Sequence, residues 1–311
     1  MTTSECVGFL RDRDDFLILT HTRPDGDTLC SAAALCSALR RTGKKAGLFP
    51  NPEITEKYMS FVGEFIYSDV PEKTVNVSVD VADVKMLSNG FEGAVALCID
   101  HHGSNSLYAE NTMLDAQMAA CGEIVLRVIE ELCGNVTKQE ADLLYIALST
   151  DCGCFCYANT KTQTLLDAAH LVDIGADNAH LNNLFFRSFS FPRLILEGLV
   201  YSSLRSYREN RINVAVITLD MLEKAGVTEN DCDDLASLAG KVEGNVVSIT
   251  VRELPGGGSK ASVRSNETVN ASEICAHFGG GGHPMAAGCK TGLPAQELAD
   301  RLVELADTHL K

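Results

Sequence analysis

The chain has 311 residues and a mass of 33.4 kDa, enough to bury about three quarters of its unfolded surface without covalent staples. Its 26 basic and 42 acidic residues leave a formal charge of −16, which excludes a general electrostatic grip on long nucleic acid, because that grip needs tracks of Lys and Arg. An anionic substrate stays admissible where metal ions or a few placed side chains bring the positive charge.

The N-terminal residues show no apolar run behind a basic segment, and no stretch approaches the roughly eighteen apolar residues of a membrane span. The expectation is a cytoplasmic, reduced protein that does not engage membranes. Its twelve cysteines are then mostly small hydrophobes, as at Cys36, Cys98, Cys121 and Cys133 inside apolar patterns.

In chain order, residues 16–20 form a short apolar run flanked by charge, the pattern of a buried strand, and residues 29–39 follow with helical spacing. Residues 75–79 alternate as a strand does, and residues 94–99 are a continuous buried run. Helical spacing covers 119–132, and Thr137-Lys-Gln-Glu140 is a capping box opening a helix to about Leu148. Such alternation predicts an α/β domain whose parallel sheet carries helices on both faces. Residues 185–209 read as a helical linker with basic residues. Beyond it, 213–219, 245–252 and 260–264 are strand-like, with Leu254-Pro-Gly-Gly-Gly258 as a hairpin loop and a short helix over 272–278 stopped by Gly279. The expected organisation is a domain over 1–184, the linker over 185–209, and a smaller α+β domain over 210–311.

The ionisable residues fall at the ends of these elements. The first strand runs into His21-Thr-Arg-Pro-Asp25-Gly-Asp27, the second into Asp80, the third into Asp100-His101-His102, and the capped helix delivers Ser149-Thr150-Asp151. Open parallel sheets bind ligands beyond the carboxyl ends of their strands. Gathering Asp25, Asp27, Asp80 and Asp151 there is costly unless neutralised, and two divalent cations would balance four carboxylates. Mixed imidazole and carboxylate ligands suit Mn²⁺, with Mg²⁺, Co²⁺, Fe²⁺ and Zn²⁺ as competitors. Each Asp alone reads more readily as a turn former or helix cap; the coincidence of four motifs is what points to a site. Residues 279–282 are all glycine, so backbone there can approach a ligand and aim amides at phosphate oxygens, and Arg264 and His283 can grip phosphate.

These segments carry a family resemblance. His21-Thr-Arg-Pro-Asp25-Gly-Asp27, Val79-Asp-Val-Ala-Asp83, Asp100-His-His102 and Thr150-Asp-Cys-Gly153 resemble the motifs of the DHH phosphoesterases. Phe278-Gly-Gly-Gly-Gly-His283-Pro-Met-Ala-Ala-Gly288, preceded by Ser262-Val-Arg264-Ser, resembles the associated DHHA1 domain. In size and domain content the chain is most similar to the NrnA-type, nano-RNase/pAp phosphatase branch. The resemblance implies one metal held by His21, Asp25 and Asp80, and a second held by Asp27, Asp80, His101 and Asp151, with Asp80 bridging. It further implies that His102 faces the scissile phosphate, that Asp100 orients its neighbours, and that a hydroxide between the metals attacks phosphorus. Gly280, Gly281, Gly282, His283 and Arg264 would bind substrate.

The expected activity is Mn²⁺-dependent hydrolysis of very short oligonucleotides and dinucleotides such as pApA to mononucleotides, together with dephosphorylation of 3′-phosphoadenosine 5′-phosphate (pAp). Cleavage of cyclic dinucleotides is an enzymatic alternative, a catalytically silent nucleotide-binding regulatory module is one of another class, and a homodimer stays open. Departures from the family pattern are Cys30, where glycine is usual, and Cys152, Cys154 and Cys156, whose spacing is not that of ordinary zinc sites and reads as packing.

Overall fold

The computed structural model describes residues 1–266 and 268–310. Its contacts divide into two units, Met1–Ser188 and Phe189–Lys311, each built on its own sheet. Among the described residues no helix is long and apolar enough to cross a membrane.

The first unit comprises helix α1 (Thr3–Arg11), strand β1 (Phe16–Leu19), helix α2 (Gly26–Arg41), strand β2 (Ala46–Leu48), helix α3 (Glu56–Val62) and strands β3 (Val75–Val79), β4 (Leu97–Asp100) and β5 (Thr112–Leu114). Helices α4 (Cys121–Cys133), α5 (Lys138–Asp151), α6 (Thr162–Ile174) and α7 (Asn178–Asn182) follow. The sheet is parallel throughout, in the order β2-β1-β3-β4-β5. Strand β1 lies between β2 and β3, so connections leave it on one side and return on the other. The carboxyl ends of β1 and β3 flank that switch point, where such sheets bind ligands.

Side-chain alternation sends Phe16 and Ile18 of β1 into a core shared with Leu29 and Leu35 of α2, Ile124 of α4 and Leu144 of α5. Leu17 and Leu19 enter a smaller cluster with Val81, Leu87 and Val95, packed by Phe49, Tyr67, Phe91 and Tyr108. The two faces are covered unequally, because the connections from β3 to β4 and from β4 to β5 contain no α-helix, only the 3₁₀ turn Val84–Met86.

Two helices start where capping chemistry directs them. Asp25 is the N-cap of α2, its Oδ1 accepting from the amides of Asp27 and Thr28 at 3.1 and 3.2 Å. The Thr137–Glu140 capping box is closed in both directions, and Glu140 is buried against Ser37 and Arg41. Strand β4 begins at Leu97 rather than residue 94, since the Ala94 carbonyl is taken by the Asn76 side chain.

The second unit opens with helix α8 (Phe191–Ser202) and continues through β6 (Arg205–Tyr207), β7 (Ile212–Ile217), α9 (Leu219–Ala225), the 3₁₀ segment Glu229–Lys241, β8 (Val247–Glu253), β9 (Ser259–Ser265), α10 (Ala271–Ala276), β10 (Gly281–His283), β11 (Ala286–Thr291) and α11 (Ala295–His309). The segment read as a linker contains α8, which has Pro192 in its first turn and buries Leu196 and Val200 against Ala215 and Ile217 of β7. The sheet order is β10-β11-β9-β8-β7-β6, with only the β7–β8 pair parallel. The β8–β9 hairpin closes through the expected loop, where the Leu254 amide donates to the Gly258 carbonyl at 3.1 Å. One sheet face, with Ile249, Val251, Ala261, Val263 and Cys289, packs on Ile274 of α10 and Leu298 and Leu302 of α11.

Candidate functional site

The carboxyl ends of β1, β3 and β4 and the C-terminus of α5 bring together His21, Asp25, Asp27, Asp80, His101 and Asp151. Among the described residues three groups have geometry able to hold a metal ion, two of which are His21, Asp25 and Asp80, and Asp27, His101 and Asp151. Asp80 faces both. Its Oδ2 lies 3.9 Å from His21 Nε2, and its Oδ1 lies 3.4 Å from His101 Nε2. His21 Nε2 is 3.6 Å from Asp25 Oδ1, while His101 Nε2 is 3.8 Å from Asp27 Oδ2 and 3.9 Å from Asp151 Oδ2.

Local backbone and hydrogen bonds aim these groups. Asp80 directly follows β3 with φ +61°, a left-handed conformation costing a non-glycine residue roughly 1–2 kcal/mol. The bond from its amide to the Ile99 carbonyl, 2.9 Å, ties that turn to β4. Gly26 permits close approach of α2 to α5: a Cβ there would stand 2.3 Å from Thr150 Oγ1. Asp27 is buried, and its carboxylate accepts from the Cys121 and Gly122 amides at the start of α4 (2.6 and 2.9 Å) and from Ser31 Oγ (2.9 Å). Each histidine is oriented through Nδ1, which meets the Thr22 carbonyl in His21 and the Met118 carbonyl in His101, turning Nε2 toward the carboxylates.

His102 differs. Its Nδ1 lies 2.8 Å from Asp100 Oδ1, which leaves Nε2 on a side chain that is 40% exposed. Asp100 is fully buried and also accepts from the amides of His101 and His102 and, at 2.6 Å, from Asn105 Nδ2. A third metal-capable group, Asp80, His101 and His102, exists on distance alone, but the Asp100 bond occupies the His102 nitrogen nearest Asp80.

The electrostatics show an excess of negative charge. Burial, with Asp80 and Asp151 adding to it, pushes Asp27 well above the ordinary carboxylate range. Burial likewise lifts Asp151 to about 6, with Asp80 reinforcing the shift and His101 opposing it. For His101 burial favours the neutral ring, yet Asp80, Asp27 and Asp151 outweigh it and raise it to about 10. His21 rises to about 9 in the same way, with Asp25 the main partner against burial. Protons or divalent cations answer this excess equally well. Asp80 Oδ1 fits a metal ion: it is buried and makes no hydrogen bond, with His101 Nε2 at 3.4 Å its ion-pair partner when that ring is protonated, and a bound cation would meet it directly. The oxygen and imidazole donor set fits first-row divalent ions.

Other residues have bland roles. Asp83 caps the 3₁₀ turn through the Lys85 amide. Cys30 is buried among apolar side chains, and burial raises its thiol well above the ordinary range. Cys152 is buried and pushed up to about 12, Cys154 is half-buried and Cys156 exposed. No cysteine belongs to a metal-capable group among the described residues. Sequence reasoning missed Asn105 and Asn159; the latter donates to the Asp151 carbonyl at 3.2 Å and to its Oδ2 at 3.4 Å. Neither falls in a pattern that chemistry alone singles out.

In the second unit, His283 of β10 pairs in register with Ala286 of β11, which pairs with Arg264 of β9. His283 and Arg264 therefore share one face, two strands apart, about 9.5 Å. Gly280 and Gly282 have a packing reason to be glycine. A Cβ at Gly280 would lie 2.2 Å from the Gly288 carbonyl oxygen, and one at Gly282 2.6 Å from that of Ala286. Gly281 alone of the three faces open space.

The first unit thus carries a switch point lined by carboxylates and imidazoles, and the second a mixed sheet with a glycine-bearing edge. Residues 15–148 match the DHH family, N-terminal domain, and residues 211–311 match the DHHA1 domain. The chain belongs to the DHH/DHHA1 phosphoesterase family. Within that family it is 34% identical over 301 residues, 94% of this chain and 89% of the other, to the bifunctional oligoribonuclease and PAP phosphatase NrnA of Thermus thermophilus. It is 24% identical to the protein of the same name from Bacillus subtilis, covering 96% of this chain and 95% of that one. An exopolyphosphatase-related protein from Bacteroides fragilis has the same fold, with a TM-score of 0.89 at 20% identity over 99% of this chain and 97% of that one.

Proposed function

We propose that this enzyme hydrolyses very short oligonucleotides, dinucleotides such as pApA, and pAp, releasing mononucleotides. The observation that carries the reading is the pair of ligand-capable groups at the switch point of the first sheet, with Asp80 in one and 3.4 Å from His101 of the other. The relatives named as oligoribonucleases and PAP phosphatases supply the substrate class.

His21, Asp25 and Asp80 would hold one divalent cation and Asp27, Asp80, His101 and Asp151 a second, with Mn²⁺ the preferred ion. Such cations, when bound, lower the pKa of water and offset charge on phosphoryl oxygens. The protein's own part is orientation. Asp100 holds His102 by Nδ1, and the exposed Nε2 can donate to a phosphoryl oxygen as charge grows there. Asn105 holds Asp100, and Asn159 holds Asp151. Residues 1–184 form the catalytic domain in this reading, and residues 210–311 the substrate-binding domain, where Arg264, His283 and the amides of Gly280, Gly281 and Gly282 grip a phosphate other than the reacting one. The reading places the work in the cytoplasm, where thiols stay reduced.

A substrate series from inorganic pyrophosphate through pAp, pApA, a cyclic dinucleotide and a five-mer to a twenty-mer, with Mn²⁺, tests this. The expected result is high specific activity on pAp and on two to five nucleotides, falling steeply by the twenty-mer. Equal efficiency on the twenty-mer and pApA would overturn the short-substrate reading. Activity confined to pyrophosphate or the cyclic dinucleotide would replace the substrate.

A further inference from the structure

The first unit keeps its aromatic side chains inside, with one exception. Among the described residues Tyr157 is its only exposed Phe or Tyr, at 59%. It stands in the loop that leaves α5 at Asp151. Gly153, Cys154 and Phe155 of that loop have φ of +54°, +55° and +63°, three left-handed residues in succession. Residues other than glycine adopt that region only where the surrounding structure imposes it. Here the Cys154 amide donates to the Ser149 carbonyl at 2.7 Å, and the Phe155 ring meets Tyr145 edge-on at 5.8 Å. The Tyr157 amide donates to the Cys152 carbonyl, and the Tyr157 carbonyl accepts from the Thr160 amide, both at 3.1 Å. Two residues further on, the Asn159 side chain returns to Asp151. The loop thus starts and closes on the same candidate ligand.

The Tyr157 ring has one covered face and one open face. A Cβ at Gly153 would stand 2.6 Å or less from its Cζ, Cε1 and Cε2, and near-equal approach to three ring carbons places Gly153 over the flat of the ring, not its edge. Only glycine allows that contact. Main chain backs one face, so the exposed surface is the opposite face and the rim. Gly153 is two residues from Asp151, at most about 7 Å along the chain, which is comparable with the reach from a nucleotide's phosphate to its base. A flat aromatic surface attracts without charge, which suits an anion approaching a chain of net charge −16.

Resting on the function proposed above, we infer that Tyr157 is the platform on which the base of the nucleotide at the metal-capable groups stacks. The occupant is a purine or pyrimidine ring held by its face. Such stacking tolerates any base, since each presents a π-face. Because main chain already fixes the ring, little freedom is lost when the base arrives. The gain goes to nucleotides over phosphate esters that carry no base, so Tyr157 is a specificity-determining residue of the first unit.

Hydrolysis of pAp compared with that of its base-free counterpart, 1,4-anhydroribitol 3,5-bisphosphate, tests this in the full-length protein with Mn²⁺. Tyr157→Ala should cut the preference for pAp in kcat/KM about tenfold, the scale of one base–aromatic stack, chiefly through KM. Tyr157→Phe keeps the face and should restore the preference to within about twofold of wild type. A second readout needs no turnover. The chain contains no tryptophan, so Tyr157→Trp supplies a single indole. Its fluorescence should be quenched by AMP in the presence of Mg²⁺ and left unchanged by ribose 5-phosphate. A loss of kcat/KM shared equally by both bisphosphates would reduce Tyr157 to a support for the Asp151 loop and overturn the platform. An unchanged preference, or an equal response of the indole to AMP and ribose 5-phosphate, would overturn it too. Failure of the functional reading is separate: wild-type enzyme with Mn²⁺ would then leave pAp and pApA intact, and the AMP titration would still read the stack.

Discussion

The two units solve opposite electrostatic problems with opposite architecture. In the first, carboxylates and imidazoles are packed at the ends of parallel strands, mostly buried, and one of them, Asp80, has a backbone in the left-handed region. In the second, Arg264 and Lys290 stand exposed on one face of a mixed sheet, with Ser262, Ala286 and Gly288 between them. In the proposed function the negative charge of the first would be answered by metal ions, and Arg264 and His283 of the second by phosphate. An acidic protein can thus handle an anion by making both attractions local, at the expense of long-range steering.

The contrast can be broken most forcefully at Asp80. Asp80→Ala should lower turnover by at least about 10³-fold, the upper end of what one transition-state interaction contributes, and elemental analysis should find both metals depleted. Normal metal content with near-normal turnover would sink the shared-carboxylate assignment. His102→Ala and Arg264→Ala should then separate chemistry from grip. The first is expected to lower kcat about 100-fold with little change in KM. The second is expected to raise KM for pAp about tenfold with kcat nearly kept, as removal of one charged hydrogen bond to phosphate would do. If both variants moved the same parameter, the division of labour between the units would be wrong.

Asn105→Ala probes whether the Asp100–His102 pair needs its outer support. Turnover should fall about 10-fold to 100-fold, typical of a residue that orients another, with metal content and substrate KM unchanged. Depletion of metal along with turnover would show that Asn105 sustains the whole loop instead. The smallest expected effect is on stability. Metal-free folded protein keeps the His101 proton up to about pH 10 against 6.5 for the free side chain, and the Asp151 proton up to about 6 against 3.8. Over those windows the folded state binds more protons than the unfolded one, so these two groups make stability fall as pH rises. Thermal melts of the chelated protein should decline from mildly acid to alkaline pH, and Mn²⁺ should flatten the decline. A chelated protein that grows steadily more stable toward pH 9 would contradict the charge excess.

The first unit was readable because its chemistry coincides with its punctuation. His21, Asp25, Asp80 and Asp100 stand where apolar runs stop, so the strand ends and the ligand candidates are found by the same inspection. Asp25 shows why either interpretation of such a residue was incomplete: it caps α2 and faces His21 with the same oxygen. Asn105 and Asn159 escaped because their value is purely tertiary, arising from hydrogen bonds with Asp100 and Asp151 that no local spacing announces. Strands β10 and β11 escaped for another reason. Their residues, largely Gly and Ala, have little intrinsic strand preference, and they pair because β9 offers an edge and their small size permits close approach. Helix α11 was legible in its spacing of Leu298, Leu302 and Ala306, but a reading led by motifs passes over it.

The clamping of Asp27 bears on which ions this protein can discriminate. With Oδ1 engaged by Ser31 and Gly122 and Oδ2 by Cys121, the carboxylate cannot rotate to present both oxygens to one cation. Calcium favours six to eight oxygens, often through two-pronged carboxylates in a yielding loop, whereas magnesium and manganese accept fewer ligands in a stiffer, near-octahedral frame. If Asp27 holds a cation as proposed, ion size would be sorted by three hydrogen bonds that never touch the ion, two of them from backbone amides of the first turn of α4. A change in the packing of that helix would then loosen the sorting before it weakened binding itself.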